Sequence, residues 1–173
     1  MAPHTLKPKD LVVLFTILCW KEDRWTYAEL GDELRMSSSQ VHYALERLDY
    51  SHLFEKDERY LHPYEIEEFI SHGVRYAFAT RPGRLTRGTP AAVSSPIGEE
   101  LFVSSGRGPG YVWPNPEGEV RGQGIEPLYK HVPTIVEKWP ELYDWLALID
   151  IIRIGSARER EVAAEEFADR ILK

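Results

Sequence analysis

The sequence has a single cysteine, Cys19, among its 173 residues. One cysteine excludes an internal disulfide framework and a metal site built from several thiolates. Disulfides are rare in reducing compartments, so this scarcity favours a cytoplasmic location. Disorder is also disfavoured, because a hydrophobic fraction of 43% is typical of a globular chain with a core.

A long hydrophobic run is missing as well. The apolar stretch LVVLFTILCW, residues 11 to 20, follows two lysines, as the core of a signal peptide would. It is too short to cross a bilayer, and it continues into KEDRW without a small-residue cleavage site. We therefore expect a buried first helix and no membrane partner.

Acidic residues are absent from residues 69 to 98, although the formal net charge of the chain is −7. Whole-chain acidity disfavours unspecific adhesion to nucleic acids, but a local group of cations can still bind phosphates. The segment contains four arginines: Arg75, Arg81, Arg84 and Arg87. They form either a flexible basic arm that contacts the DNA backbone or minor groove, or solvated loop residues partly paired with the glutamates of residues 65 to 68.

The N-terminal third is rich in helix signals. Apolar residues recur at helical spacing over residues 8 to 22. Thr26 with Glu29, and Ser37 with Gln40, match the capping box that begins a helix. A second and a third helix therefore follow one another across one short turn.

A small hairpin is predicted after the third helix. In LFEKDERYLHP, two extended pieces flank a polar turn at Asp57 and Glu58. The preceding stretch, TYAELGDELRMSSSQVHYALERLDYSHLFE, has a small residue, Gly31, in the second helix, then a hydrophobic-Ser turn and an inward Val41 in the third. Residues 8 to 62 thus resemble the winged helix-turn-helix domain of bacterial transcriptional regulators, MarR-like or antitoxin-like.

The resemblance implies that the third helix lies in the major groove of double-stranded DNA. Its outward side chains then meet base edges, and Gln40 is suited to read adenine through two hydrogen bonds. The groove residues that it implies are Ser38, Ser39, Gln40, His42 and Tyr43, and the phosphate contacts are Arg47 with Lys56 or Arg59. The basic arm adds Arg81, Arg84 and Arg87 to this DNA-binding set.

The middle of the chain differs in composition. A helix is predicted over YEIEEFISHGVRYAF, with a division at Gly73. Glycine and proline then recur through residues 80 to 125. This pattern predicts mostly loop, with short strands at residues 100 to 104 and 111 to 113.

Helix signals return towards the C-terminus. Pro140 suits the first position of a helix that Gly155 ends, and Ser156 with Glu159 forms a third capping box. The predicted fold class is therefore mostly α, within the α+β class. It comprises a winged helix-turn-helix domain (1–63), a helix and loop-rich connecting region with short strands (64–125), and a C-terminal helical region (126–173).

These features together predict a sequence-specific DNA-binding transcriptional regulator. We expect a repressor that blocks a promoter as a homodimer and is released by a ligand or a protein partner. The apolar stripe of the last helix, which includes Phe167, needs a partner. It either packs internally or forms the dimer.

A protein-interaction role is the alternative. The third helix has few cations, and the wing tip at Asp57 and Glu58 would repel a phosphate backbone. The chain would then be an antitoxin-like module that neutralises or docks a partner enzyme.

Signals for catalysis are weak. The Gly-rich SSGRGPG lacks the Gly-Lys-Ser/Thr ending of a phosphate-binding loop. Helical metal pairs need a spacing of three or four residues, whereas the histidines His42, His52, His62 and His72 are ten apart. We therefore expect no enzyme, and no catalytic residue, metal site or cofactor.

Overall fold

The computed structural model describes residues 4–103 and 108–173. Helices predominate in them and the strands are short, so the fold is α+β and mostly helical. The chain divides into two compact units, Met1–Ile66 and Glu67–Lys173, called here the N-terminal and the C-terminal unit. None of the helices in the described ranges is long and apolar enough to cross a membrane.

The N-terminal unit contains three helices followed by a hairpin. Its elements are α1 (Pro8–Cys19), α2 (Tyr27–Leu34), α3 (Ser38–Tyr50), β1 (Phe54–Glu55) and β2 (Tyr60–Leu61). The two strands pair antiparallel, as the sequence predicted. Helix α4 (Pro63–His72) begins in this unit and ends in the next.

Both predicted capping boxes are present in the N-terminal unit. The hydroxyl of Thr26 accepts a bond from the Glu29 amide at 3.1 Å, and the Glu29 carboxylate accepts the Thr26 amide at 2.8 Å. Ser37 and Gln40 make the same reciprocal pair at 3.1 and 2.9 Å. Each box satisfies amides that have no partner within the helix, so the starts of α2 and α3 are fixed by local chemistry.

A continuous apolar core joins the three helices. The side chains with no exposed surface include Leu11, Leu14 and Phe15 of α1, Leu30 and Leu34 of α2, and Val41, Leu45 and Leu48 of α3. Gly31 serves the turn between α2 and α3, because a Cβ there would lie 2.4 Å from the Met36 carbonyl oxygen. The short turn therefore depends on a residue without a side chain.

The C-terminal unit combines short strands with two long helices. Gly73 separates α4 from α5 (Val74–Ala77), as predicted. The elements that follow are β3 (Leu85–Pro90), a 3-10 helix (Ala92–Ser94), α6 (Pro96–Leu101), β4 (Tyr111–Pro114), β5 (Val120–Gly124), α7 (Val132–Ile135), α8 (Pro140–Ile154) and α9 (Ala157–Ile171).

The three strands close into a small barrel. The first half of β3 pairs antiparallel with β5, and the second half pairs antiparallel with β4. Strands β4 and β5 pair with each other in parallel. Gly88 belongs to both halves of β3 and lies so close to β4 that a Cβ would be 2.1 Å from the Trp113 carbonyl oxygen.

The prediction for this region was partly wrong. Residues 80 to 125 were expected to be mostly loop, but β3 and β5 fall there. Of the strand predicted at residues 100 to 104, Glu100 and Leu101 belong to α6 instead, and residue 104 lies outside the described residues, as do residues 105 to 107 of the Gly-rich stretch. Strand β4 was predicted within one residue of its end.

The C-terminal helices pack on one another. Helix α8 begins at Pro140 and is capped by Gly155, and Ser156 with Glu159 forms the third predicted capping box. Phe167 of α9 is buried, with its ring 5.2 Å from that of Trp145 in α8. The stripe of α9 thus has an internal partner.

Candidate nucleic-acid interface

The first turn of α3 is exposed to solvent. Ser38, Ser39 and Gln40 all lie on the surface, and this turn contains no acidic side chain. Helix N-termini carry partial positive charge and donate unpaired amides, so they attract phosphate oxygens. The turn can therefore approach an anionic ligand without repulsion from its own residues.

Gln40 is engaged in the capping box. Its side-chain oxygen accepts the Ser37 amide at 2.9 Å. Reading adenine with two hydrogen bonds requires both the oxygen and the amide nitrogen of the side chain. The oxygen would have to accept a second bond or leave the box, so Gln40 is better placed to fix the helix start.

His42 and Tyr43 form an aromatic surface on α3. Tyr43 is 59% exposed, and its ring centroid lies 5.4 Å from that of the half-buried His42. The His42 ring also lies 5.9 Å from that of Tyr27 in α2. Both predicted residues are thus at the surface, beside the carboxylate of Glu46, which is 3.9 Å from the His42 Nε2.

Arg47 is not a surface residue, contrary to the prediction. Only 6% of it is exposed, and its Nε and a terminal nitrogen donate to the two carboxylate oxygens of Asp10 at 2.7 and 2.8 Å. The hydrogen bonds that Arg47 donates to the Asp10 carboxylate raise the pKa of Arg47 above its usual value. Arg47 follows Ala44 by three residues, so it shares the inner face of α3 and ties that helix to α1.

The two cations of the hairpin are also engaged. The Lys56 ammonium bonds the Glu46 carboxylate, and this bond raises the pKa of Lys56. The Arg59 guanidinium lies 4.4 Å from the centre of the Trp25 ring and donates to the Trp25 carbonyl at 2.9 Å. Phosphate binding by either residue would compete with these contacts.

The four arginines of the acid-free segment do not lie on one continuous loop, because α5 and β3 contain two of them. Arg75 lies in α5, with its guanidinium 5.7 Å from the Tyr76 ring. The Arg84 carbonyl accepts the Gly124 amide at 3.0 Å, and Arg87 is part of β3. Arg81, Arg84 and Arg87 remain exposed, as predicted.

Arg121 was missed by sequence reasoning. It lies in β5, directly opposite Arg87 in the antiparallel register, and it is exposed. Its surroundings, VRGQG, look like a glycine-rich loop. Only the pairing of β3 with β5 brings the two arginines together.

Comparison with known proteins does not assign this surface. Protein-family models, curated proteins and solved structures gave no match to the chain. Its function must therefore be argued from its own residues.

The described ranges show no metal centre. No group of three or more His, Cys, Asp or Glu side chains within them is arranged to hold an ion. They do contain a groove of about 750 Å³ beside β3 and β5. Its lining includes the apolar Leu85 and Ile125 and the charged Arg84, Glu126 and Lys130, a size and mixture typical of small-molecule sites.

Proposed function

We propose that this protein is a DNA-binding transcriptional regulator of the winged helix-turn-helix kind, which reads DNA with the first turns of α3. The observation that carries the proposal is the exposed, acid-free N-terminal turn of α3, a helix whose opposite face is buried in the core. Ser38, Ser39, His42 and Tyr43 are its contact residues. Arg47 does not contact DNA but positions α3, because its pairing with Asp10 ties α3 to α1.

Repression is the simplest mechanism for such a protein. Two copies bind half-sites separated by about one DNA turn, roughly 34 Å, and exclude the polymerase from an overlapping promoter. A ligand bound in the groove beside β3 and β5 is one route to release. A ligand can shift binding only through a difference in its affinity for the free and DNA-bound protein.

The test is DNA binding by the full chain. Fluorescence anisotropy should detect preference for sequences selected from a random duplex library, or for the DNA upstream of its own gene. Ser39→Glu should weaken this binding at least tenfold, because it brings a carboxylate to the phosphates. Ala157→Glu is the matched control, since it also adds a glutamate to the exposed first turn of a helix, α9.

The outcome that removes the proposal is equally specific. If the wild type prefers no sequence over random duplex, or if Ser39→Glu binds as tightly as Ala157→Glu, α3 does not read DNA. Circular dichroism of both variants verifies that each is folded.

A protein-interaction role is the second candidate, and one observation favours it. The N-terminal unit exposes several tyrosines, each more than half accessible: Tyr43, Tyr50, Tyr60 and Tyr64. Tyrosine is enriched in protein interfaces because it contributes a large contact area and a hydroxyl. A partner enzyme encoded beside this gene should then co-purify with the wild type, and Tyr43→Ala with Tyr64→Ala should release it.

A further inference from the structure

Two arginines lie side by side on neighbouring strands of the barrel. Arg87 of β3 and Arg121 of β5 are direct partners in the antiparallel register, and both are exposed. Side chains in such positions lie on one face of the sheet, with Cβ atoms about 4.5–5.5 Å apart. Like charges at this separation destabilise a sheet, so the pair needs an explanation.

No anion within the described residues compensates the pair. Neither guanidinium takes part in a salt bridge there. The three strands, with sequences LTRGTP, YVWP and VRGQG, contain no acidic residue. Glu117 and Glu119 precede β5, but within the described ranges neither forms a salt bridge with Arg87 or Arg121.

The three strands therefore carry positive charge only, in a chain whose net charge is negative. The chain has a net charge of −7, yet every charged residue in these strands is an arginine. The same face carries Leu85, which is 52% exposed, opposite Gln123. An anion bound between Arg87 and Arg121 would replace their repulsion with two attractions.

We propose that Arg87 and Arg121 bind one phosphate group of the DNA backbone between them, which makes the barrel a second contact surface. This inference rests on the proposed DNA-binding function. Two guanidinium groups suit a phosphodiester, because its tetrahedral phosphate can accept one fork of hydrogen bonds from each side. A planar carboxylate is matched by one such fork, which favours a nucleic acid over an acidic protein segment.

The first experiment exploits the opposite effects expected on stability and on binding. Arg87→Glu places a carboxylate opposite Arg121, so the melting temperature should rise. DNA affinity should fall at least tenfold, because the phosphate site is lost. If the pair takes no part in DNA binding, the melting temperature rises while the DNA affinity is unchanged, and that result overturns the proposal.

The second experiment counts the phosphate contact. The full chain with Arg87→Gln and Arg121→Gln should show a dependence of log K on log salt that is shallower by about 1, since one phosphate contact is lost. The control is Arg158→Gln, which removes one charge from an exposed arginine in α9. An unchanged slope in the double variant contradicts the proposal.

A third measurement separates this inference from the proposed function. Melting temperatures are compared in potassium phosphate and potassium chloride at equal ionic strength. If the wild type binds no DNA but is stabilised by phosphate, and the double glutamine variant is not, the pair is a site for free phosphate groups and its assignment to DNA is wrong. If DNA binding is seen but depends on α3 alone, the proposed function stands and this inference fails.

Discussion

At the scale of single residues, each unit contains a buried ion pair that could not be predicted from the sequence. In the N-terminal unit Arg47 pairs with Asp10, whose carboxylate also accepts the Lys7 amide at 2.8 Å. In the C-terminal unit Asp150 pairs with Arg153 at 2.7 Å and accepts the Trp113 indole N–H at 2.6 Å. Burial raises the pKa of Asp150 even though both of these partners oppose the shift. Breaking either pair strands a charge in the interior.

The role of Arg47 can be tested by removing one partner. Arg47→Met should lower the free energy of unfolding by about 3 kcal/mol, because the Asp10 carboxylate is left buried without its cation. Urea denaturation followed by tryptophan fluorescence measures the loss. Adding Asp10→Leu should restore part of it, since an apolar pair of similar volume avoids the buried charge. A stable Arg47→Met protein with weak DNA binding would instead indicate that Arg47 contacts the DNA directly.

Tyr143 provides a prediction for alkaline pH. Its hydroxyl donates to the Pro90 carbonyl, and burial, followed by the charges of Asp144 and Glu99, raises its pKa to about 12. Because the folded state favours the neutral phenol, its contribution to stability is complete below about pH 10 and is lost as the pH rises towards 12. Tyr143→Phe should abolish the step near pH 12 in the tyrosinate absorbance, whereas Tyr64→Phe, at a 72% exposed site, should keep it.

At the scale of elements, β3 pairs with both of the other strands in the barrel, and the change of partner occurs at Gly88. A Cβ at Gly88 would also lie 2.8 Å from that of Val112. The obstacle includes backbone, which cannot move away without breaking the pairing of β3 with β4.

Gly88→Ala therefore tests the closure of the barrel. The substitution should destabilise the unit by more than about 2 kcal/mol, the middle of the range for overpacked interiors. Gly83→Ala is the control on the same segment, because a Cβ there meets its nearest atom, the Gly124 carbonyl oxygen, at an ordinary 3.5 Å. Equal melting temperatures for the two variants would mean that a side chain at position 88 is accommodated between β3 and β4 without loss of stability.

Elements with local signals could be predicted from the sequence, and those with distant partners could not. A capping box spans four residues, so the starts of α2, α3 and α9 were predicted correctly. Strands β3 and β5 were missed because their pairing joins residues more than 30 positions apart and their glycines look like loop signals. Arg47 was placed outside for the same reason, since its partner Asp10 is 37 residues away.

At the scale of the whole molecule, charge is segregated rather than balanced. Arg47, Lys56 and Arg59 are engaged by Asp10, Glu46 and Trp25, whereas the barrel exposes arginines that form no salt bridge within the described ranges. In the proposed function, DNA is therefore contacted by the helix amides and hydroxyls of α3 and by a few arginines of the C-terminal unit. The chain as a whole, with a net charge of −7, is repelled by phosphate.

The salt dependence of DNA binding should therefore be shallow for a regulator. If Arg87 and Arg121 share one phosphate and Arg81 and Arg84 contact one each, log K should fall with log salt with a slope between about −1 and −3 for each protomer, at roughly 0.9 per phosphate. Anisotropy titrations from low to moderate salt give the slope, and light scattering of the complex gives the number of protomers by which it is divided. A slope steeper than about −6 per protomer would mean that many more cations contact DNA. Arg47, Lys56 and Arg59 would then have to exchange their present partners for phosphates on binding.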